Sequence, residues 1–249
     1  MPRAVSDTHP LTSPDNELVK RIRRLAAGRG GDEVLLEGPR VILQALAAGI
    51  RLEVLAVREG EDFDAPAQRR VVLGRGLLHE LSATTTPQGV LALGHAKLVS
   101  FDDARAAAVR AGWPLVVLDG VQDPGNVGAI ARTAAAAGAP ALVVLPGTAD
   151  PLGAKAIRAS AGHVFNLKLA RATWDELAGI ACVGADSAGR PLKEVDLAAA
   201  GAIVLGSEAH GISRPMDLVA LPMAPGVESL NVAAAAAILL YELQARISQ

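Results

Sequence analysis

The chain of 249 residues is 51% hydrophobic and carries a formal net charge of −2, a length and apolar content that fit two modest α/β domains better than one large one. Its single cysteine, Cys182, stands in the apolar run IACVGAD, which excludes a disulfide framework and leaves a thiolate metal site without a second ligand. No uninterrupted apolar stretch reaches the roughly 20 residues that cross a bilayer, and MPRAVSDTHPLTSPD lacks the apolar segment of a signal peptide, so a soluble, cytoplasmic protein with no membrane partner is expected.

Residues 1–15 read as a polar, Pro-bearing tail. Residues 16–27 then read as a basic helix in which Lys20, Arg21, Arg23 and Arg24, with Arg29 just beyond, gather within reach of a polyanion; a solvated helix face accounts for the same charges equally well. Aromatic residues make up only 2% of the chain, so stacking of splayed single-stranded bases is disfavoured and any RNA contact would rest on backbone and shape. EVLLEG at 33–38 reads as strand and turn, PRVILQALAAG at 39–49 as helix, RLEVLAV and VVLG as strands, 75–82 as a short helix and GVLALGHAKLV at 89–99 as a final strand. Residues 16–99 thus form a small α/β module of about four strands. The Ala-rich, charged stretch at 100–112 reads as a helical or flexible linker.

From Trp113 to the end the alternation restarts: LVVLDG, a helix over NVGAIARTAAAAGA, ALVVL, a helix around AKAIRAS, VFNLKL, IACVGAD, AIVLG at 202–206, VALPM at 219–223 and an apolar helix from Asn231 to about Ile247. Short apolar runs without alternation are strands covered on both faces, so this domain is expected to be a parallel sheet. No strand leads into Gly-x-Gly-x-x-Gly, and nothing matches Gly-x-x-x-x-Gly-Lys-Ser/Thr, which removes the main support for a dinucleotide or ATP site. Three other loops follow apolar strands: LDGVQDPGNVGAIARTA, IVLGSEAHGIS and LPMAPGVESLNVA. In an open α/β sheet, the carboxyl ends of strands are where ligands bind.

In these loops the sequence resembles the SpoU/TrmH family of RNA ribose methyltransferases, part of the SPOUT superfamily, in order and spacing across residues 115–242. Asp119, Pro124, Gly125, Asn126, Gly128 and Arg132 fit the first motif, Gly206, Glu208 and Gly211 the second, and Pro222, Met223, Ser229, Leu230, Asn231 and Val232 the third. AKAIRASAGHVF resembles an intermediate stretch through Arg158, Ser160 and Gly162, and LLEG at 35–38 with TPQGVLAL at 86–93 resembles the accessory substrate-binding domain. The resemblance implies a C-terminal parallel-sheet domain over 113–249 closed by a deep trefoil knot, a rare exception to unknotted chains, with residues 16–99 as the RNA-binding domain. It further implies S-adenosylmethionine as methyl donor and S-adenosylhomocysteine as product, no metal, and a homodimer whose active site draws on both chains.

Displacement at a sulfonium needs the acceptor oxygen held in line and roughly 3–3.5 Å from the methyl carbon, with water kept out. The resemblance puts the donor against Gly206, Leu221 and Leu230, and the reacting ribose among Arg132, Asn126, Glu208, Ser229 and Asn231. A ribose hydroxyl is a poor nucleophile, and a guanidinium ordinarily cannot accept its proton, so Arg132 is read as clamping the adjacent phosphate and easing loss of that proton. Asn126 is expected to cap its helix as well as orient the loop, and Ser229 and Asn231 to cap the last helix. Lys20, Arg21, Arg23, Arg24, Arg158 and Ser160 are the expected RNA contacts. The RNA is expected to be ribosomal rather than transfer RNA, with the same reaction on transfer RNA as one alternative and a catalytically silent RNA-binding or ribosome-assembly protein as another. An oxidoreductase on a doubly wound sheet is disfavoured by the missing glycine fingerprint.

Overall fold

Two units share the chain, and the division is not a single cut: Met1–Lys97 joins Leu152–Phe165 in one, and Leu98–Pro151 joins Asn166–Gln249 in the other. The computed structural model describes residues 5–28, 30–82 and 87–248; Arg29 of the basic cluster and Thr86 of the TPQGVLAL motif lie outside the described residues.

The first unit is a five-stranded mixed sheet in the order β1 (Val5–Leu11), β4 (Ala67–Leu73), β3 (Leu52–Arg58), β5 (Val90–His95), β2 (Glu33–Glu37). β1 and β3 run parallel to β4, whereas β5 is antiparallel to both β3 and β2. The N-terminal residues expected as a tail therefore supply an edge strand, held by backbone pairing with β4 that side-chain pattern does not announce. Helix α1 (Glu17–Ala26) is capped by Asn16, whose side chain accepts from the Leu18 N–H at 2.9 Å. It buries Leu18, Val19, Ile22 and Leu25, one helical stripe, against Val54, Ala56, Val71, Leu73, Leu91 and Leu93 of the sheet and Leu77, Leu78 and Leu81 of α3 (Arg75–Leu81). Helix α2 (Pro39–Ala47) contacts β2 and β5, burying Val41, Ile42 and Ala45.

The basic residues on the opposite side of α1 are each engaged by a carboxylate. Arg21 donates to Glu33 and to both oxygens of Glu53, one at 2.7 Å, Arg23 pairs with Glu80, Arg24 with Glu33 at 2.8 Å, and Lys20 with Glu17 at 2.9 Å. The hydrogen bonds from Arg21 outweigh desolvation and hold the Glu53 carboxyl down at about 2, with His95 adding to the effect.

The segment expected to touch RNA at 158–160 belongs to this unit and is bound into it. Helix α6 (Ala154–Ala159) contacts β2 and α1. Arg158 donates to Glu37 at 2.9 Å, and Ser82 donates to the same carboxylate. Ser160 is fully buried: its hydroxyl donates to the Ile157 carbonyl at 2.8 Å and accepts the Val164 N–H at 3.3 Å. That correction removes Ser160 from the surface, since a hydroxyl engaged on both sides inside the protein has no route to a polynucleotide. Gly162 turns the chain at φ +83°, and a Cβ there would come within 2.9 Å of Gln44 Cβ, so the following glycine is also a packing requirement.

The second unit carries a six-stranded, all-parallel sheet in the order β11 (Asp217–Ala220), β9 (Cys182–Pro191), β10 (Ala202–Gly206), β6 (Leu115–Asp119), β7 (Ala141–Val144), β8 (Lys168–Arg171). β6 and β10 are buried at every position, as strands covered on both faces must be. The expected linker is a helix of this unit: α4 (Phe101–Ala111), capped by Ser100 and ended by Gly112, lays Phe101, Ala104 and Ala108 on β6, β7 and β8. The expected strand VFNLKL divides, its first part a 3₁₀ turn over His163–Asn166 and its pairing delayed to Lys168. Helix α5 (Pro124–Ala137) packs against α7 (Val232–Ile247), which buries Val232, Ala236, Leu239, Leu240 and Leu243 and contacts β10. Among the described residues no helix is long and apolar enough to cross a membrane.

Two outcomes follow from the first unit. Glu53 titrates near 4.5 when unfolded and at about 2 when folded, so its contribution is complete above pH 4.5 and is lost as pH falls towards 2. Glu53→Gln should flatten the pH dependence of thermal unfolding in that window, and should cost about 1 kcal/mol or less near neutrality because the pair is partly exposed. Arg158→Ala removes the charge-assisted hydrogen bond to the Glu37 carboxylate and should lower stability by about 1–3 kcal/mol, read as a fall in urea midpoint at unchanged m-value.

Candidate active site

The middle of β9, at Ala185–Ser187, and the carboxyl ends of β10 and β11 surround a cavity of about 360 Å³, within the usual size range of small-molecule sites. Its apolar lining comes from Leu205, Val219, Leu221, Leu230 and Val232, and its polar lining from Asp186, Ser187, Ser207, Glu208, Ser229 and Asn231. The expected donor contacts Gly206, Leu221 and Leu230 all line this cavity, as do Glu208, Ser229 and Asn231 from the expected reacting group.

Gly206 is the last residue of β10, and it must be glycine for a reason the motif does not reveal. The chain turns back at once, with Ser207 and Gly211 exchanging backbone hydrogen bonds of 3.0 and 2.9 Å. A Cβ on Gly206 would lie 2.4 Å from the Gly211 carbonyl carbon and oxygen, so the close approach served here is that of the hairpin itself. Gly211 sits at φ +65°, and the His210 N–H donates to Ser207 Oγ at 3.0 Å, which completes the turn. Beyond it, the Ser213 N–H donates at 2.6 Å to Asp119, a carboxylate only 5% exposed at the end of β6, and Trp174 Nε1–H donates to Ser213 Oγ at 2.8 Å.

At the mouth of the cavity three side chains from distant parts of the sequence form one line. Asn231 Nδ2 donates to Asn126 Oδ1 at 3.2 Å, and Asn126 Nδ2 donates to Glu208 Oε1. An ionised carboxylate can only accept, so Glu208 forces the Asn126 amide to present its nitrogen there and its oxygen to Asn231. The Asn231 oxygen in turn accepts the Ala233 and Ala234 N–H groups at 2.9 and 3.4 Å, capping α7. The expectation that Asn126 caps α5 is corrected: Asp123 does so, accepting from Gly125 N–H at 3.0 Å ahead of Pro124, which leaves the Asn126 amide for Glu208 and Asn231.

Arg132 is not brought to this line within one chain. Six residues along a helix turn about 600°, which places it roughly 120° around α5 from Asn126. It is exposed and has no hydrogen-bond or ion-pair partner among the described residues. Asp186 and Ser187 line the cavity although no motif points to them; their signal was position, just past the buried part of a parallel strand. The described residues contain no group of three or more His, Cys, Asp or Glu side chains that could hold a metal.

A doubly covered parallel sheet with a mixed apolar and acidic cavity at its carboxyl edge defines a small-molecule-binding α/β domain. Residues 114–241 match the SpoU rRNA Methylase family. A tRNA/rRNA methyltransferase of Synechocystis sp., itself uncharacterized, is 32% identical over 268 aligned positions, which cover 95% of this chain and 94% of that protein. The crystal structure of an AdoMet-bound rRNA methyltransferase from Sinorhizobium meliloti superposes with a TM-score of 0.79 at 26% identity, covering 96% of this chain and 98% of that one. The crystal structure of an RNA 2′-O ribose methyltransferase gives 0.74 at 29% identity over 97% and 100% of the two chains. The protein belongs to the SpoU family and is an RNA methyltransferase of that class.

Gly206→Ala tests the hairpin. The added methyl must push the Gly211 backbone away from the cavity wall. Affinity for S-adenosylmethionine measured by calorimetry should fall by about tenfold or more while the far-ultraviolet spectrum keeps its α/β shape.

Proposed function

We propose that this protein transfers the methyl group of S-adenosylmethionine to a ribose 2′-hydroxyl of structured RNA, with ribosomal RNA favoured over transfer RNA. The observation that carries the reading is the Asn231–Asn126–Glu208 line at the rim of an apolar cavity, a rigid polar edge where a ribose can be held beside a bound donor. The cavity suits the donor: Leu205, Val219, Leu221 and Leu230 offer surface for an adenine ring, and the acidic side chains offer counter-charge to a cation. When bound, the donor supplies an electrophilic methyl on a sulfonium leaving group. The likeness to an AdoMet-bound rRNA methyltransferase and to an RNA 2′-O ribose methyltransferase supports donor, acceptor and RNA class in this reading.

The residues of the chain then divide the work. The hairpin at 207–211 and the segment at 229–231 close over the cavity and exclude water, and Asn126 and Asn231 orient the ribose. The hydroxyl must lose its proton as its oxygen bonds the methyl carbon. Arg132 serves by holding the neighbouring phosphate, which keeps the developing charge favourable without asking a guanidinium to act as a base. Because Arg132 lies on another face of α5, the reading includes a homodimer in which Arg132 of one chain completes a site on the other. The exposed face of α7, with Ala234, Ile238, Tyr241 and Ala245 in one stripe, supplies an apolar surface for that pairing. The same reading takes the C-terminal segment to thread the family's trefoil knot.

For RNA delivery, Lys20 and Arg24 are the better candidates on α1: their side chains are 52% and 54% exposed, and exposed ion pairs exchange readily for phosphates. Arg21 is committed to Glu33 and Glu53, and Arg158 to Glu37, so these two act by shaping the unit.

The test is transfer of labelled methyl from S-adenosylmethionine to undermodified ribosomal and transfer RNA, with mass spectrometry of the digested nucleosides. A 2′-O-methylated nucleoside is expected. Donor binding without transfer to either RNA would point to a different RNA substrate, and no donor binding to a silent RNA-binding protein. Arg132→Ala should abolish transfer with donor affinity changed by less than about twofold, and Asn126→Ala should reduce transfer by about 100-fold or more; wild-type turnover by the Arg132 variant would overturn its role.

A further inference from the structure

The cavity holds charge of one sign only. Asp186 and Glu208 are the charged residues among its lining, and no cationic side chain of the described residues pairs with either. Glu208 is engaged by Asn126. Asp186 is different: it lies one residue beyond Ala185, where the pairing of β9 with β10 ends, and has no part in the Asn231–Asn126–Glu208 line. Its own turn fixes it, because Oδ1 accepts the Ala188 N–H at 2.9 Å. Oδ2 is turned towards the hairpin, close enough that a Cβ on Gly211 would sit 3.5 Å from it. A half-buried carboxylate is thus held by its own turn on the wall of a pocket of mixed apolar and polar lining that carries no cation.

Resting on the donor reading above, we infer that Asp186 is a specificity-determining residue that makes the pocket discriminate S-adenosylmethionine from S-adenosylhomocysteine by charge. The donor carries a sulfonium, an ammonium and a carboxylate, a net charge of +1; loss of the methyl group leaves a thioether and a net charge of zero. Shape changes little between the two, so an apolar pocket of fixed form would hold the product about as well as the donor. A fixed negative charge in a partly desolvated wall adds attraction for the cation alone, and that attraction disappears at the moment of transfer. Product release is thereby favoured without loosening the apolar contacts that both molecules share. Asp186 touches neither the ribose nor the reacting atoms in this account; it acts through the charge difference between substrate and product.

The experiment is calorimetric titration of the full chain with each compound, for the wild type and for Asp186→Asn, which keeps an oxygen for the Ala188 N–H. The wild type should bind S-adenosylmethionine more tightly than S-adenosylhomocysteine. The variant should weaken S-adenosylmethionine by about fivefold or more while S-adenosylhomocysteine changes by less than about twofold, and retained product binding shows that the pocket is intact. Raising salt on the wild type from about 0.05 to about 0.5 M should narrow the ratio of the two affinities, a measurement that holds if the variant does not fold. Parallel losses for both compounds in a folded variant, or a ratio that ignores salt, would overturn the inference and assign Asp186 to a group the two share. Failure of the wild type to bind either compound would instead remove the donor-pocket reading on which it rests.

Discussion

A single carboxylate organises the site. Glu208 at the tip of a hairpin accepts from Asn126, and through it sets the orientation of Asn231, whose oxygen then caps α7. The first turn of α5, the hairpin after β10 and the cap of α7 are joined by this line, although Asn126 and Asn231 are 105 positions apart. Neutralising Glu208 would free the Asn126 amide to flip and would remove the constraint that turns its oxygen towards Asn231. Chains of hydrogen bonds of this kind polarise one another, and a partly satisfied chain is costly, so the residues stand or fall together.

The hairpin that carries Glu208 is built to be stiff. Gly206 admits the backbone of Gly211 at a distance that any side chain would forbid, and Ser207 accepts from the turn. Asp119 and Trp174 then hold Ser213 from two sides. Each anchor is a modest interaction, worth about 1 kcal/mol net for a typical hydrogen bond and more where a charged acceptor is involved. Their effect is positional: they place one carboxylate at the cavity mouth before any ligand arrives, so no reorganisation is needed when charge develops nearby.

The first unit shows how the same residue types serve another end. Its arginines are numerous, yet Arg21, Arg23, Arg24 and Arg158 face glutamates across strand and helix. A cluster of basic residues in sequence thus becomes a set of struts, and the surface left for a polyanion is smaller than the count of charges suggests. The inserted segment at 152–165 makes the point again, because its motif residues Arg158, Ser160 and Gly162 are spent on a carboxylate, an internal hydroxyl network and a close turn.

Local pattern alone determined much of this protein. Unbroken apolar runs required a doubly covered parallel sheet, glycines and small polar residues after those runs marked the ligand edge, and Asn231 ahead of an alanine-rich stretch marked a capped helix. These features are legible because burial on both faces and helix capping depend on residues within a turn or two of one another. What sequence could not carry is which acceptor each polar group meets. The strand status of Val5–Leu11 rests on backbone pairing with β4, and the docking of α4 rests on three small or apolar side chains meeting β6, β7 and β8. The cap of α5 by Asp123 rather than Asn126, the pairing of the α1 arginines, and the appearance of Asp186 on the cavity wall were all decided by distance in space. Hydrogen bonds and ion pairs act over a few ångströms, and only the folded chain brings partners from far-separated positions within that range.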